Sequence, residues 1–457
     1  MNYNDLFNII EDKERVKLGS EIGDKYLSDA LNRDKGKAEA LVFAVNTEEV
    51  SKVMKLAYEN NIPVTPRGAG TGLVGATVPH KSGIILDLSL MNNILEMDEN
   101  TFTVTVEPGL HLVQLQKFVE DRGFFYPPDP GEKNASIGGN ISTNAGGMRA
   151  VKYGVTRNYV MGLEVVLADG SVLNLGGKVI KNSSGLDMKD LIIGSEGTLG
   201  IITKAILKII PKPQRTVSAL ISFNSLKEGI DTVIKIIKKN ANPTAIEFME
   251  KDVIENAERF LELKFPCSTG NAYILLTFDG DEEFEIENNC KKVEEAALKN
   301  NALEFILLRE KEDIERTWRI RGALVTAVEA VSEQEPIDIV VPIDRSADFI
   351  AYTKEAEREF GIKISSFGHA GDGNVHLCVI RNGMEEKLWN EKSKLLLEAL
   401  YKKGHQLKGL PSGEHGIGLH KRPYFMEITD KINIEYMRRI KRVFDEKGIL
   451  NPGKSYS

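Results

Sequence analysis

Two histidines, His369 and His376, stand close together in a stretch that favours a tight chain reversal. The segment SSFGHAGDGNVHLCVI spans residues 365–380 and contains two apolar strands joined through a turn with Asp372 and Gly373. A single histidine is more often structural, but reversal across a glycine turn can bring two imidazoles together. The pair is therefore predicted to bind a ligand.

A later glycine-flanked loop offers the groups that a metal site would still need. The segment SGEHGIG, residues 412–418, carries Glu414 and His415. Two neutral imidazoles and one carboxylate make a typical three-ligand site for a divalent cation, with positions left open for a substrate. The sequence thus predicts a divalent-metal site of the kind that Zn, Fe or Mn fills.

Three glycine-rich segments point to a second, larger ligand. The longest, PPDPGEKNASIGGNISTNAGG at residues 127–147, is predicted to form neither helix nor strand because its Gly, Asn, Ser and Pro content disfavours both. The others are PRGAGTGLVGA, residues 66–76, and GSEGTLG, residues 194–200. Glycine lets a ligand touch the backbone, and the short polar side chains between the glycines can bond to it. We predict a flavin dinucleotide as the ligand shared by the three loops.

The first loop also matches a nicotinamide-binding pattern, which we reject. Gly70, Gly72 and Gly75 fit GxGxxG, and Asp87 ends the next strand, where a ribose-binding acid could lie. That fingerprint requires a helix directly after its glycines, whereas residues 76–83 are few and include Pro79. Successive backbone N–H groups around residues 68–72 are instead predicted to bind a pyrophosphate as an anion nest.

The elements around these loops indicate an α+β fold. Strands at 41–45 and 62–66 flank a helix that Asn46 caps, and Asp169-Gly170 turns a hairpin over 163–175. Residues 1–213 are predicted as a FAD-binding domain and 214–410 as a substrate or cap domain, an antiparallel sheet with helices on one face. Residues 411–457 are predicted to return to the flavin site.

Composition excludes several other classes of protein. The 457 residues carry a net charge of -8, which argues against a nucleic-acid partner. Neither a signal peptide nor an apolar run long enough for a transmembrane segment is recognisable. Cys267, Cys290 and Cys378 are too few and too far apart for a disulfide framework, so a cytoplasmic location is expected.

Taken together, the motifs resemble those of a known family. The three glycine loops, GHAGDGNVH, GEHGIG and the terminal KGILNPGK resemble the FAD-dependent D-2-hydroxyacid dehydrogenases, which include D-lactate dehydrogenase, D-2-hydroxyglutarate dehydrogenase and the glycolate oxidase flavin subunit. The resemblance runs from about residue 40 to the end of the chain. It implies a FAD-binding domain of the vanillyl-alcohol oxidase and p-cresol methylhydroxylase type.

The resemblance also assigns roles to residues. It implies that residues 67–71 hold the pyrophosphate, that 136–147 wrap the flavin and that 196–202 cover the adenosine side. The predicted cofactor-binding residues are Pro66, Arg67, Gly68, Ala69, Gly70, Thr71, Gly72, Asp129, Ser136, Gly138, Gly139, Asn140, Thr143, Asn144, Gly146, Gly147, Tyr153, Glu196, Gly197, Gly200, Ile201, Ile202 and Asn451. Thr71 stands where members with covalent flavin have a histidine, so the FAD is expected to be noncovalent.

For catalysis, the resemblance implies that His369, His376 and Glu414 hold the metal, that His415 is the base and that Arg321 binds the substrate carboxylate. In the hydroxyglutarate branch a threonine, a lysine and an asparagine help to bind the substrate, whereas Val325, Pro336 and Cys378 occupy those positions in this chain. This departure counts against a dicarboxylate and favours D-lactate or a similar small acid.

The predicted function is therefore oxidation of a small anionic D-2-hydroxyacid by hydride transfer to FAD, with reoxidation by a separate acceptor. Glycolate or D-2-hydroxyglutarate oxidation is the alternative within the enzyme class. The alternative outside it is a flavin subunit that only passes electrons within a complex. An electron-transferring flavoprotein or another redox acceptor is the expected partner, and both a homodimer and a hetero-complex stay open.

Overall fold

A computed structural model describes residues 3–457, which form two compact units. One unit, named the flavin unit after the ligand predicted for its glycine loops, consists of the chain up to Gly146, Val155–Lys212 and Glu414–Ser457. The other, the cap unit, consists of Gly147–Gly154 and Pro213–Gly413. The C-terminal residues therefore pack with the first part of the chain, although some 200 residues of the cap unit separate the two in sequence.

Strands and helices alternate along much of the chain. The strands are β1 (Val16–Leu18), β2 (Ala40–Phe43), β3 (Val64–Arg67), β4 (Ile84–Asp87), β5 (Ile94–Asp98), β6 (Thr103–Val106), β7 (Phe124–Phe125), β8 (Val160–Val166), β9 (Val172–Gly176), β10 (Ile201–Lys208), β11 (Ile210–Pro211), β12 (Arg215–Phe223), β13 (Ala245–Glu250), β14 (Ala272–Gly280), β15 (Glu304–Leu308), β16 (Gln334–Val340), β17 (Lys363–His369) and β18 (Asn374–Ile380). The α-helices are α1 (Thr47–Glu59), α2 (Leu112–Glu120), α3 (Ile137–Thr143), α4 (Ala150–Tyr153), α5 (Lys189–Ile192), α6 (Leu226–Lys238), α7 (Lys251–Leu261), α8 (Glu283–Leu298), α9 (Lys311–Gly322), α10 (Leu324–Glu329), α11 (Ser346–Phe360), α12 (Glu386–Gln406), α13 (Arg422–Ile428) and α14 (Lys431–Phe444). Short 3-10 helices lie at Tyr3–Asn8, Lys13–Arg15, Gly19–Glu21, Asp24–Tyr26, Thr156–Tyr159 and Ile343–Arg345.

The flavin unit contains a small mixed sheet and a larger antiparallel one. The first has the order β1-β2-β4-β3, in which β2, β4 and β3 run parallel, and the second has the order β5-β6-β10-β8-β9. The predicted cap of α1 is confirmed, because the side-chain oxygen of Asn46 accepts a hydrogen bond from the Glu49 N–H at 2.9 Å. The predicted hairpin is confirmed by the antiparallel pairing of β8 with β9.

The structure corrects the prediction for the longest glycine-rich segment, because residues 137–143 form the helix α3. Ser136 caps it by accepting the Gly139 N–H, and Ile137 and Ile141 are fully buried. A Cβ at Gly138 would lie 2.7 Å from the Cβ of Pro108, so close packing explains the glycine at this position. Capping and burial outweigh the low helix propensity of these residues.

The cap unit is built on one seven-stranded antiparallel sheet with the order β15-β12-β14-β13-β17-β18-β16. Met249 and Leu275 pack with α7 and α10 on one face. Ile274 points to the opposite face, where it lies against Gly229 of α6. We predicted helices on one face only; the structure has them on both, because β14 is apolar and buried on both sides.

Among residues 3–457, no helix combines the length and the apolar character that a membrane span requires.

Candidate active site

The two histidines meet on one face of the cap-unit sheet. They lie on β17 and β18, where Phe367 pairs with His376 and His369 pairs with Asn374, so the imidazoles are diagonal neighbours across the hairpin. The turn requires Gly373, since its φ is +83° and a Cβ there would lie 2.1 Å from the Val341 carbonyl oxygen. Both histidines are buried, and their Nε2 atoms are 3.3 Å apart.

A carboxylate that the sequence analysis did not single out orients this pair. Glu247 on β13 is fully buried, and its Oε1 accepts a hydrogen bond from Nδ1 of His369 at 2.7 Å. Its Oε2 accepts hydrogen bonds from Arg321, at 2.8 Å from Nε and also from Nη2. One carboxylate therefore holds a predicted metal ligand and the predicted substrate arginine.

Phe367 contacts both Arg321 and His376. The Arg321 guanidinium lies over the Phe367 ring at 5.2 Å, and that ring stacks on the His376 imidazole with centroids 5.5 Å apart. The contacts form a closed ring from Glu247 through Arg321, Phe367, His376 and His369 back to Glu247. We call these five residues the histidine cluster.

The Glu247 carboxyl is ionised within the cluster. Burial raises the pKa of the Glu247 carboxyl, but the attraction of His369 and Arg321 and their hydrogen bonds outweigh burial and leave this pKa below its usual range. Because the ionised carboxylate can only accept, Nδ1 of His369 carries the proton and donates it. In the neutral form that can bind a metal ion, His369 with its proton on Nδ1 presents the Nε2 lone pair toward His376.

This arrangement fits a divalent cation. Two nitrogen ligands about 2.1 Å from one tetrahedral ion are separated by about 3.4 Å, close to the 3.3 Å between the two Nε2 atoms. A carboxylate on the far nitrogen of a ligating histidine is the usual support of such a ligand. His369 and His376 can therefore act as two ligands of one ion.

The loop that carries Glu414 and His415 begins where the cap unit ends. The N–H of Gly413 donates to the buried carboxylate of Asp338 at 3.1 Å, and the Ser412 hydroxyl donates to it at 2.7 Å. Asp338 pairs in register with His376. In the flavin unit, Oε1 of Glu414 is 4.0 Å from Nε2 of His415, and Oε2 lies beside Gly146, at the end of the longest glycine segment.

The three glycine loops converge in the flavin unit. The Ser136 hydroxyl accepts hydrogen bonds from the N–H groups of Ala69 and Gly139, which ties the first loop to the second. A Cβ at Gly197 would lie 2.6 Å from Pro66, so the third loop packs on the first. The Glu196 N–H also donates to the Ser142 carbonyl. This convergence fits a cofactor that all three loops share.

Several polar side chains among the predicted cofactor residues support the loops. Arg67 is buried and donates to the backbone carbonyls of Ser28 and Lys25, both at 2.8 Å. The Glu196 carboxylate accepts the N–H groups of Ile417 and Gly418, and the Asn451 amide donates to the carbonyls of Ala76 and Glu196.

The remaining predicted cofactor residues occupy several kinds of position. Asp129 accepts hydrogen bonds from Gln116 and Lys133. The Tyr153 hydroxyl bonds the carboxylate of Asp279 within the cap unit, and Gly147 also belongs to that unit. Asn140 and Thr143 lie in α3, and Asn144 ends it. Gly70, Thr71 and Gly72 follow β3, Gly200 precedes β10, and Ile201 and Ile202 begin it.

Sequence reasoning missed Glu247, Phe367 and Asp338. For Glu247 and Asp338 the sequence does contain one indication of a special role. Each is a lone acid between apolar residues of a strand, in AIEFM and in IDIVV. For Phe367 the sequence contains no such indication, because a phenylalanine in an apolar strand is expected in any core.

Comparisons with known proteins agree with this architecture. Residues 212–455 match the family described as FAD linked oxidases, C-terminal domain, and residues 38–176 match the FAD binding domain. The chain is 42% identical to a D-lactate dehydrogenase of Anaerostipes hadrus, over 96% of this chain and 94% of that protein. It is 36% identical to the glycolate oxidase subunit GlcD of Bacillus subtilis, over 94% and 92%.

Among solved structures, p-cresol methylhydroxylase with substrate bound superposes with a TM-score of 0.81 at 17% identity, covering 98% of this chain and 95% of that one. The likeness confirms the predicted vanillyl-alcohol oxidase type of fold. With FAD-specific sequence matches over both halves and a relative at 42% identity, the chain belongs to the FAD-linked oxidases.

Proposed function

We propose that this enzyme oxidises a small D-2-hydroxyacid, D-lactate to pyruvate, with FAD and a divalent metal ion. The observation that carries the proposal is the buried His369–His376 pair, with facing Nε2 atoms and an arginine held by the same carboxylate as His369. A bare redox relay needs neither metal ligands nor an anion-binding arginine. The D-lactate dehydrogenase of Anaerostipes hadrus supports the choice of substrate.

We propose His369, His376 and Glu414 as the protein ligands of the metal, which would be Zn, Fe or Mn. The first two face each other, and the third follows Gly413, whose N–H is fixed on Asp338 beside His376 in register. Glu414 is the next residue in the chain after Gly413, which supports its choice as the third ligand.

A metal ion bound by these residues would lower the pKa of the substrate hydroxyl, and FAD bound by the glycine loops would supply the acceptor for the hydride from the substrate Cα. His415 accepts the hydroxyl proton, so the substrate loses one proton and one hydride and becomes the 2-oxoacid. Arg321 binds the substrate carboxylate and orients the Cα–H bond. Glu247 keeps the proton on Nδ1 of His369, and the burial of the cluster limits access of water.

We propose that the cofactor residues in and around the three converging loops hold FAD without a covalent bond. Thr71 stands where a histidyl link would have to form, and a threonine hydroxyl cannot make that link. Ser136, which bonds the backbone of the first two loops, would keep the pyrophosphate and flavin segments in register.

The surroundings of the histidine cluster favour a small substrate. Cys378 is buried and belongs to an apolar cluster against which Val325 packs, and burial raises the pKa of the Cys378 thiol to about 12. Neither side chain can bind a second carboxylate. Glycolate is the second candidate, favoured by the similarity to the GlcD subunit of Bacillus subtilis.

We further propose reoxidation by a separate acceptor, such as an electron-transferring flavoprotein. The three cysteines are unpaired and buried, which supports a reducing cytoplasm as the location.

A panel of substrates tests the proposal. The purified flavoprotein should bleach under anaerobic conditions with D-lactate, far more slowly with L-lactate, and with glycolate to a lesser extent than with D-lactate. Bleaching by D-2-hydroxyglutarate alone would overturn the choice of substrate, and no bleaching by any 2-hydroxyacid would favour an electron-transfer subunit.

A further inference from the structure

The histidine cluster contains a fully buried carboxylate with two separate tasks. Glu247 is 0% exposed, and its two oxygens are divided between His369 and Arg321. We propose that Glu247 is a positioning residue that fixes the spacing between the metal ligands and the substrate arginine and thereby selects 2-hydroxyacids. The inference rests on the proposed function and deepens it.

A stabilising role alone accounts poorly for this residue. Taking a carboxylate out of water is costly, and an apolar side chain of similar size often gives equal or greater stability than a buried ion pair. Glu247 lies between Ile246 and Phe248 in a strand whose other buried positions are apolar. A charge at this position is therefore better explained by a requirement of geometry.

Glu247 and Phe367 together fix the position of Arg321 relative to the two imidazoles. Glu247 holds the imidazole of His369 and two nitrogens of Arg321, while Phe367 lies between the Arg321 guanidinium and the His376 ring. Neither the arginine nor the imidazole pair can shift without breaking a contact in the ring. The separation between cation site and guanidinium is thus a property of the folded cap unit.

That separation determines which acids fit. In a 2-hydroxyacid, the hydroxyl and the carboxylate are on adjacent carbons, whereas a 3-hydroxyacid places one more carbon between them. A rigid pair of binding groups accepts the first spacing and rejects the second, because misplacing a reacting group by about 1 Å can cost roughly 10²-fold in rate.

The test uses the whole flavoprotein with the substitution Glu247→Gln, which keeps the size of the side chain but removes its charge. The matched control is Glu250→Gln, at the end of the same strand and on its opposite face, where the carboxylate pairs with Lys354. For each protein we would measure FAD content, metal affinity by competition with a chelator, thermal stability, and KM and kcat for D-lactate and D-3-hydroxybutyrate.

We expect Glu247→Gln to keep FAD but to lose roughly 10 to 100-fold in metal affinity, the usual effect of removing a carboxylate from a ligating histidine. At saturating metal, the KM for D-lactate should still rise roughly tenfold, and the preference for D-lactate over D-3-hydroxybutyrate should fall by a similar factor. The Glu250→Gln control should show neither change.

A double variant distinguishes an effect that acts through Arg321 from a general loss of folding. If Glu247 acts through Arg321, the KM of Glu247→Gln/Arg321→Gln should equal that of Arg321→Gln alone, whereas independent effects would multiply. A Glu247→Gln protein with normal metal affinity, KM and preference, and only a lower melting temperature, would overturn the inference. Absence of any metal from the unaltered active enzyme would instead overturn the proposed function.

Discussion

Lys454, near the C-terminus, should make the stability of the flavin unit depend on pH in an unusual range. Its side chain is fully buried, and its Nζ donates to the backbone carbonyls of Gly75 and Val78, at the end of the first glycine loop. Burial lowers the pKa of Lys454 to about 7, although the acids around it, Glu196, Asp29 and Asp34, oppose that shift.

The free energy of unfolding rises with pH because Lys454 binds its proton more weakly in the folded than in the unfolded state. An unfolded lysine takes up its proton below about pH 10.4, while folded Lys454 takes it up only below about pH 7. Between these values the unfolded state binds one more proton, so the free energy of unfolding rises with pH by about 1.4 kcal/mol per pH unit. The contribution is about 3 kcal/mol between pH 8 and pH 10, or roughly 6 to 12 °C in the Tm of a unit of this size.

The assay compares melting temperatures of the unaltered protein and Lys454→Met at pH 8 and pH 10. Methionine cannot titrate, so the stability of the unaltered protein should rise by that amount relative to the variant as the pH increases. Lys447→Met, which removes an exposed lysine from the same part of the chain, should behave like the unaltered protein. Parallel pH profiles for the unaltered protein and Lys454→Met, within about 2 °C, would refute the reasoning.

Three further outcomes concern the site. Acid precipitation should release all of the FAD into the supernatant, and flavin retained on the denatured chain would contradict a noncovalent cofactor. His415→Asn should retain FAD and metal but slow flavin reduction by roughly 10² or more, chiefly in kcat, and a rate within about threefold of the unaltered enzyme would remove the histidine from the mechanism. Arg321→Gln should raise the KM for D-lactate by roughly tenfold or more, whereas an unchanged KM would show that the arginine serves only the packing of the cluster.

Local signals in the sequence sufficed for much of the fold. The Asn46 cap, the Asp169-Gly170 turn and the glycine turn between His369 and His376 each involve residues within a few positions of one another. Interactions over such short distances depend on residue type and spacing, which a sequence displays directly.

Contacts between distant parts of the chain could not be predicted in the same way. Glu247 contacts His369 and Arg321, which are 122 and 74 residues away in the sequence, and the pairing of β13 with β17 places it opposite His369. The helix α3 was not predicted because Gly138 packs against Pro108, a tertiary constraint that composition does not reveal. Helices on both faces of the cap sheet were likewise missed, since continuous apolar strands do not show which helices cover them.

The proposed mechanism requires that the histidine cluster bind a metal ion and that hydroxyacid oxidation depend on that ion. The most direct measurement is anaerobic stopped-flow reduction of the bound FAD by D-lactate, before chelation, after chelation and after a divalent ion is added back. We predict that chelation abolishes reduction while FAD stays bound, and that the added ion restores it. A chelated enzyme shown by elemental analysis to be free of metal, yet reducing its flavin at the full rate, would contradict the central claim.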